Sequence, residues 1–170
     1  IKSISSPYSS FICVAPVTAA ISSKKSLFQK LNPGGATTLA LIPISQNARI
    51  TTILPVDAEE EDWNKLQIFF ATSTGNVRRN ALSDFTNVKA NGKIAMKLPE
   101  STTLVGVQIC SEDNDVFLTT GLGKAIRFNI NDVRIFKGRD SVGVKGIKLK
   151  ENDSVISMAI IKHVNASTEE

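Results

Sequence analysis

The sequence predicts an all-β fold, a propeller-like and incomplete array of four-stranded blades. Two long stretches of the 170-residue chain match each other at a spacing of about 50 residues. Each holds four short Val/Ile/Phe/Leu-rich segments bounded by Gly, Asn, Asp or Ser, as strands are. Nothing between residues 67 and 161 sustains a helical period. Four strands per unit, at a period of roughly forty to fifty residues, is the arithmetic of blades. No such unit can bury both of its faces alone, so neighbours must pack side by side.

The elements follow in chain order. Residues 1–56 read as a divergent or partial blade. "SSKKSLFQKLNPGGATT" lacks the strand spacing seen later, but "LIPISQNARITTILPV" (41–56) matches the end of a unit. There Ile44 takes the place of Leu98, Ile50 of Leu104 and Ile53 of Val107. Residues 57–66, "DAEEEDWNKL", are an acidic connection able to form one helical turn and expected on the surface. The blade at 67–110 carries segments 67–72, 76–81, 93–98 and 103–110. The blade at 111–161 carries 115–120, 124–130, 144–149 and 154–161, and 162–170 is a tail.

The two blades align at a shift of 48, with Ile68 on Val116, Phe69 on Phe117, Thr72 on Thr120, Gly75 on Gly123, Arg79 on Arg127, Leu82 on Ile130 and Asp84 on Asp132. After an insertion the match resumes at a shift of 51, with Lys97–Leu98 on Lys148–Leu149 and Val107 on Met158. "TTGLGKAIRF" (119–128) could be taken for a phosphate loop. That motif requires Gly where Leu118 stands and Ser or Thr where Ala125 stands. Only the Gly75/Gly123 position recurs, which is what a tight turn with positive φ requires.

Charge is uneven. Residues 67–150 carry thirteen Lys/Arg against seven Asp/Glu, whereas 1–66 carry six against five and 151–170 one against four. A local basic excess points to a polyanionic partner. Cys13 and Cys110 lie in apolar runs without a CxxC partner and read as buried free thiols, which suits a cytoplasmic location. No apolar run of 18 residues occurs, so no membrane span is expected, and the Ser/Ala-rich start lacks the pattern of a signal peptide.

In the strand at 124–130, alternation sets Ile126 and Phe128 on one face and Arg127 on the other, pointing outward. The repeat carries Arg79 to the same outward place. Arg78 sits where Ile126 does, so either the local register differs or Arg78 emerges near a rim. The connection 131–149 gathers Arg134, Lys137, Arg139, Lys145 and Lys148 among Gly138, Gly143 and Gly146, and Lys124 follows the turn glycine. Guanidinium forks grip phosphate oxygens in two places, and glycines allow close backbone approach. Phe136 is the only ring in the connection, so base stacking is not expected. The chemistry favours contacts to the backbone of duplex DNA without sequence reading. A solvated basic loop with no ligand fits the same charges.

"IFFATSTGNVRRNALSDF…NGKIAMKL" and "GLGKAIRFNINDVR…GRDSVGVKGIKL", preceded by "ARITTILPV", closely resemble the C-terminal domain of the DNA gyrase A subunit. The topoisomerase IV A subunit has a related domain, and "ITTILPV" and "GKIAMKL" look more like gyrase. The resemblance covers about residues 41–161. It implies a β-pinwheel whose basic rim bends and wraps duplex DNA, supporting ATP-dependent negative supercoiling within an A2B2 complex with the rest of the gyrase A protein and the gyrase B protein. The matching DNA-binding positions are Arg79, Arg127, Arg134, Lys137, Arg139, Lys145 and Lys148, to which Arg78 and Lys124 are added. The resemblance places ATP, Mg2+ and the catalytic tyrosine elsewhere in the holoenzyme, so no catalytic residue, metal or cofactor is expected here. The glutamine-led Arg/Gly motif of the first gyrase blade is absent, and "SSPYSSF" around Tyr8 does not resemble the catalytic neighbourhood.

Two other classes compete. A propeller-type scaffold for protein partners would show a rim rich in exposed aromatics and mixed charge, whereas this one is mostly Lys/Arg. An enzyme in its own right would need a partnered nucleophile. His163, the only histidine, has no Ser or Cys pairing and reads as an incidental surface residue, while Asp84 and Asp132 read as turn-capping groups.

Overall fold

Two of the three sheets are shared between consecutive repeat units. A computed structural model describes residues 10–15, 19–23, 52–56, 60–86, 93–137 and 141–165. Its strands are β1 (Ser10–Ala15), β2 (Ala19–Ser23), β3 (Thr52–Val56), β4 (Gln67–Thr72), β5 (Asn76–Ala81), β6 (Lys93–Met96), β7 (Leu104–Cys110), β8 (Asn114–Thr120), β9 (Ala125–Asn129), β10 (Val144–Lys145) and β11 (Val155–Lys162). They form three antiparallel sheets in the orders β3-β1-β2-β6, β7-β4-β5-β10 and β11-β8-β9. The fold is all-β, as the sequence predicts. Strands β1 and β2 fall within residues 1–56, which read from sequence as a divergent or partial blade. The expected Ile44 and Ile50 matches lie outside the described residues.

The eight segments expected between 67 and 161 all appear as strands, but the third of each unit crosses to the preceding sheet. β6 pairs with β2, bringing Ala20 opposite Ile94, and β10 pairs with β5, bringing Val144 opposite Val77. Each unit therefore fastens itself onto the one before it.

The repeat is close enough to reproduce turn chemistry. Gly75 (φ 81°) and Gly123 (φ 79°) hold the left-handed conformation that glycine adopts without steric penalty. Their N–H groups donate to Thr72 O (3.0 Å) and Thr120 O (3.1 Å). Ser101 (φ 63°) and Asn152 (φ 60°), 51 residues apart, are the two non-glycine residues with positive φ among those described. They sit in turns closed by Thr102 N–H to Pro99 O (3.1 Å) and Asp153 N–H to Lys150 O (3.2 Å).

Packing explains why units cannot stand alone. Every residue of β4 is buried, and its alternation serves two cores. Ile68 and Phe70 join Trp63, Leu82, Phe85, Met96, Leu104 and Val107 on one side. Phe69 and Ala71 join Val77, Val116, Leu118, Ile130, Phe136, Ile147 and Met158 on the other. Full burial of one such side chain contributes about 1.5–3 kcal/mol.

The acidic connection requires a correction. It forms a 3-10 turn at Glu60–Lys65, yet Trp63 is completely buried in the first core. The acidic run suggests a surface connection, but the indole is too large an apolar group to leave in water when an adjoining sheet face can take it. Cys110 is buried as expected, donating its S–H to Gln67 O at 3.5 Å. The side chain of Cys13 lies outside the described residues.

Candidate nucleic-acid interface

The connection after β9 is built onto the edge of the middle sheet. It leaves β9 through a 3-10 turn at Ile130–Asp132, capped by Asn129 Oδ1, which accepts from Asn131 N–H at 2.9 Å. Phe136 N–H then donates to Arg79 O (2.8 Å), and Asn80 Nδ2 donates to Phe136 O (2.7 Å). Further on, Ser141 O accepts from Arg78 Nη1 at 2.8 Å and from Lys97 N–H at 3.3 Å. β10 then pairs along β5, and Gly75 O accepts from Gly146 N–H (2.9 Å) and Ile147 N–H (3.3 Å). The described parts of this connection, before residue 138 and from residue 141 on, are thus both fastened to β5.

The cations on this path face water. Arg134, Lys137, Lys145 and Lys148 are exposed, and so is Lys124 on the neighbouring hairpin. Lys145 Nζ donates to Thr74 O (3.0 Å) and Lys124 Nζ to Lys148 O (2.6 Å), which ties both hairpin turns to the connection. The Arg134 guanidinium lies 4.5 Å from the centre of the Phe136 ring, a cation–π contact that orders an exposed fork. Arg139 lies outside the described residues.

Two of the predicted cations sit elsewhere. Arg79, expected to point outward, is 6% exposed, because the third sheet packs over the face of the middle sheet that carries it. Its Nη1 donates to Asn131 Oδ1 at 2.9 Å. Arg78 does not emerge at a rim but is fully buried. Its Nε donates to Asn80 Oδ1 at 2.8 Å, and its guanidinium lies 4.9 Å from the Phe136 ring centre. Burial pulls the Arg78 pKa below the ordinary arginine value, and the Asp84 charge partly offsets that.

Arg127 is exposed on the far face of the third sheet, as expected, but it is an ion-pair member. Its Nε and Nη2 both reach Asp115 Oδ2, at 2.8 and 2.7 Å. His163 Nδ1 meets Asp115 Oδ1 at 2.8 Å, and Asn129 Nδ2 donates to the same oxygen at 3.2 Å. Burial disfavours the Asp115 carboxylate, yet hydrogen bonds and charge from His163 and Arg127 bring its pKa below the usual value. Its bond to His163 raises the imidazole pKa in return, with Asn165 assisting. His163, read from sequence as incidental, is a partner of a nearly buried carboxylate. That carboxylate lies 48 residues away, a distance at which sequence gives no signal. Arg127 also holds the repeat position of Arg79.

Among the described residues no group of three or more His, Cys, Asp or Glu could hold a metal ion. No helix among them is long and apolar enough to cross a membrane.

The family model for the DNA gyrase C-terminal domain, beta-propeller, matches residues 67–111 and 114–162, more than half of the chain. The chain belongs to the DNA gyrase C-terminal domain family. It is 46% identical over 138 residues to the DNA gyrase A protein of Granulibacter bethesdensis, covering 80% of this chain and 15% of that protein. It is 38% identical over 120 residues to the DNA gyrase A protein of Escherichia coli (strain K12), covering 71% of this chain and 13% of that one. This member of the gyrase C-terminal family therefore spans a small fraction of the full-length proteins it matches. Its fold agrees with a solved DNA gyrase A C-terminal domain at a TM-score of 0.74 and 22% identity, over 92% of this chain and 49% of that one. It also agrees with a C-terminal domain of DNA topoisomerase IV at 0.71 and 20% identity, over 92% and 48%.

Proposed function

We propose that this gyrase C-terminal domain chain binds duplex DNA along the edge of its middle sheet and bends it there. On this reading it is the non-catalytic, DNA-wrapping part of a cytoplasmic gyrase A protein. The observation that supports it most is the path of the connection. Arg134, Lys137, Lys145 and Lys148 are exposed on a path fastened to β5 on both sides of residues 138–140, with Lys124 anchored beside it.

Such a track suits phosphates rather than bases. Phe136, whose ring the Arg134 guanidinium covers, is itself buried, so it offers no face for stacking. Arg139 belongs to the same track by sequence. Arg78 and Arg79 support the track from beneath, and Arg127 is held by Asp115. In the assembled enzyme the remainder of the gyrase A protein and the gyrase B protein carry out strand cleavage and use ATP and Mg2+, in an A2B2 complex. The wrapped segment handed to them would give supercoiling its sign.

Fluorescence anisotropy of two unrelated duplexes, titrated with this chain from low to moderate salt, tests the reading. Five phosphate contacts give a log–log salt slope of about −4 to −5, with the two sequences bound alike. A slope shallower than about −1, or strong preference for one duplex, overturns it.

A further inference from the structure

Two of the three buried polar residues of β5, Arg78 and Asn80, carry more than stability requires. In the repeat-equivalent strand β9, the same two positions are Ile126 and Phe128, both packed against the second core. A sheet of this kind therefore folds with apolar groups there, and apolar groups avoid the desolvation that a buried guanidinium suffers. The middle sheet instead places a fully buried arginine and a 4% exposed asparagine at the strand where the connection docks.

These two side chains bond to each other and to that connection. Arg78 Nε donates to Asn80 Oδ1 (2.8 Å), Arg78 Nη1 to Ser141 O (2.8 Å) and Asn80 Nδ2 to Phe136 O (2.7 Å). Arg78 also packs on the ring that carries the Arg134 guanidinium, at 4.9 and 4.5 Å from its centre. Phe136 and Ser141 bracket Lys137, and the Arg134 guanidinium rests on the anchored Phe136 ring, so both cations are tied to these contacts.

We infer that Arg78 and Asn80 are positioning residues for DNA contact, holding Arg134 and Lys137 in a fixed array against the middle sheet. This rests on the DNA-binding reading above. The physical gain is preorganisation: side chains and loop already ordered do not lose that freedom when DNA arrives.

The test is the double substitution Arg78→Ile with Asn80→Phe, which copies the residues of β9, in the same 170-residue chain. The expected result is a retained cooperative melt, faster amide exchange at Phe136 and across 141–147, and duplex affinity about tenfold weaker at fixed salt. Removing Arg134 and Lys137 (both to Ala) should weaken binding less in this background than in the parent chain, whereas Lys124→Ala should weaken both equally. Strict additivity with Arg134 and Lys137, or unchanged affinity, overturns the inference. Faster exchange in a protein whose parent binds no DNA refutes the DNA-binding reading and leaves only a structural tether. Should the double variant not fold, Arg78→Lys is read the same way. It keeps the charge but lacks the fork that reaches Asn80 and Ser141 together.

Discussion

Replacing Gly75 and Gly123 by alanine, one at a time, separates two effects that share a backbone conformation. Both residues have φ near +80°, so both variants strain the turn by about 1–2 kcal/mol, less about 0.4–1 kcal/mol returned through a stiffer unfolded chain. At Gly123 nothing lies within 4 Å of a new Cβ, so the net loss should stay near 1 kcal/mol. At Gly75 the new Cβ would sit 2.6 Å from Ile147 O and 3.1 Å from Ile147 Cγ2. The strand donated by the following unit must then move. Two hydrogen bonds to Gly75 O are put at risk, each contributing about 1 kcal/mol, and the 2% exposed Ile147 is drawn out of the second core. The expected loss at Gly75 is about 3–4 kcal/mol. In thermal unfolding the gap between the variants should be about 5–10 °C for a chain of this length. Equal melting temperatures would show that the 144–147 segment is not docked on this turn, and the strand exchange would fall with it.

Other outcomes follow from packing and charge. Trp63→Ala should cost about 3–5 kcal/mol by urea denaturation, since the indole fills the first core; a loss under about 1 kcal/mol would return it to the surface. The raised pKa of His163 means that its pairing with Asp115 stabilises the fold fully below the ordinary imidazole value of 6.5 and fades as pH rises through the higher folded value. Stability measured from about pH 6 to about pH 8 should therefore decline less in His163→Ala than in the parent, and parallel curves would exclude the pairing. Burial pushes the Cys110 thiol up to about 12, so peptide-level alkylation at neutral pH should leave Cys110 unmodified until the chain unfolds.

Much of this architecture was legible because repetition is. Recurrence of Gly75 and Gly123 gave the turns, and alternation gave the strands. The run of Arg134, Lys137, Lys145 and Lys148 gave an exposed basic path. Sheet membership was not legible. A strand as short as Val144–Lys145 says nothing about which edge it joins, and it pairs with residues 67 and 69 positions earlier in the chain. The same ambiguity hid the fate of Arg78. Period-two alternation put it on the core face, where a lone guanidinium is forbidden. What admits it is the Ser141 carbonyl, 63 residues away, and the Asn80 amide beside it. The departure of β5 from β9 at positions 78 and 80 was the available sign, since polar residues there replace apolar ones within a repeat. Trp63 was hidden by its acidic neighbours, and the partnership of Asp115 with His163 by their separation.

The most direct measurement is the salt dependence of duplex binding after removing the cations of the track. With Arg134, Lys137, Lys145 and Lys148 all changed to alanine, the log–log slope should shrink by about 3.6 units while the melting temperature holds. An unchanged slope in that variant would place the DNA, if it binds at all, on some other surface.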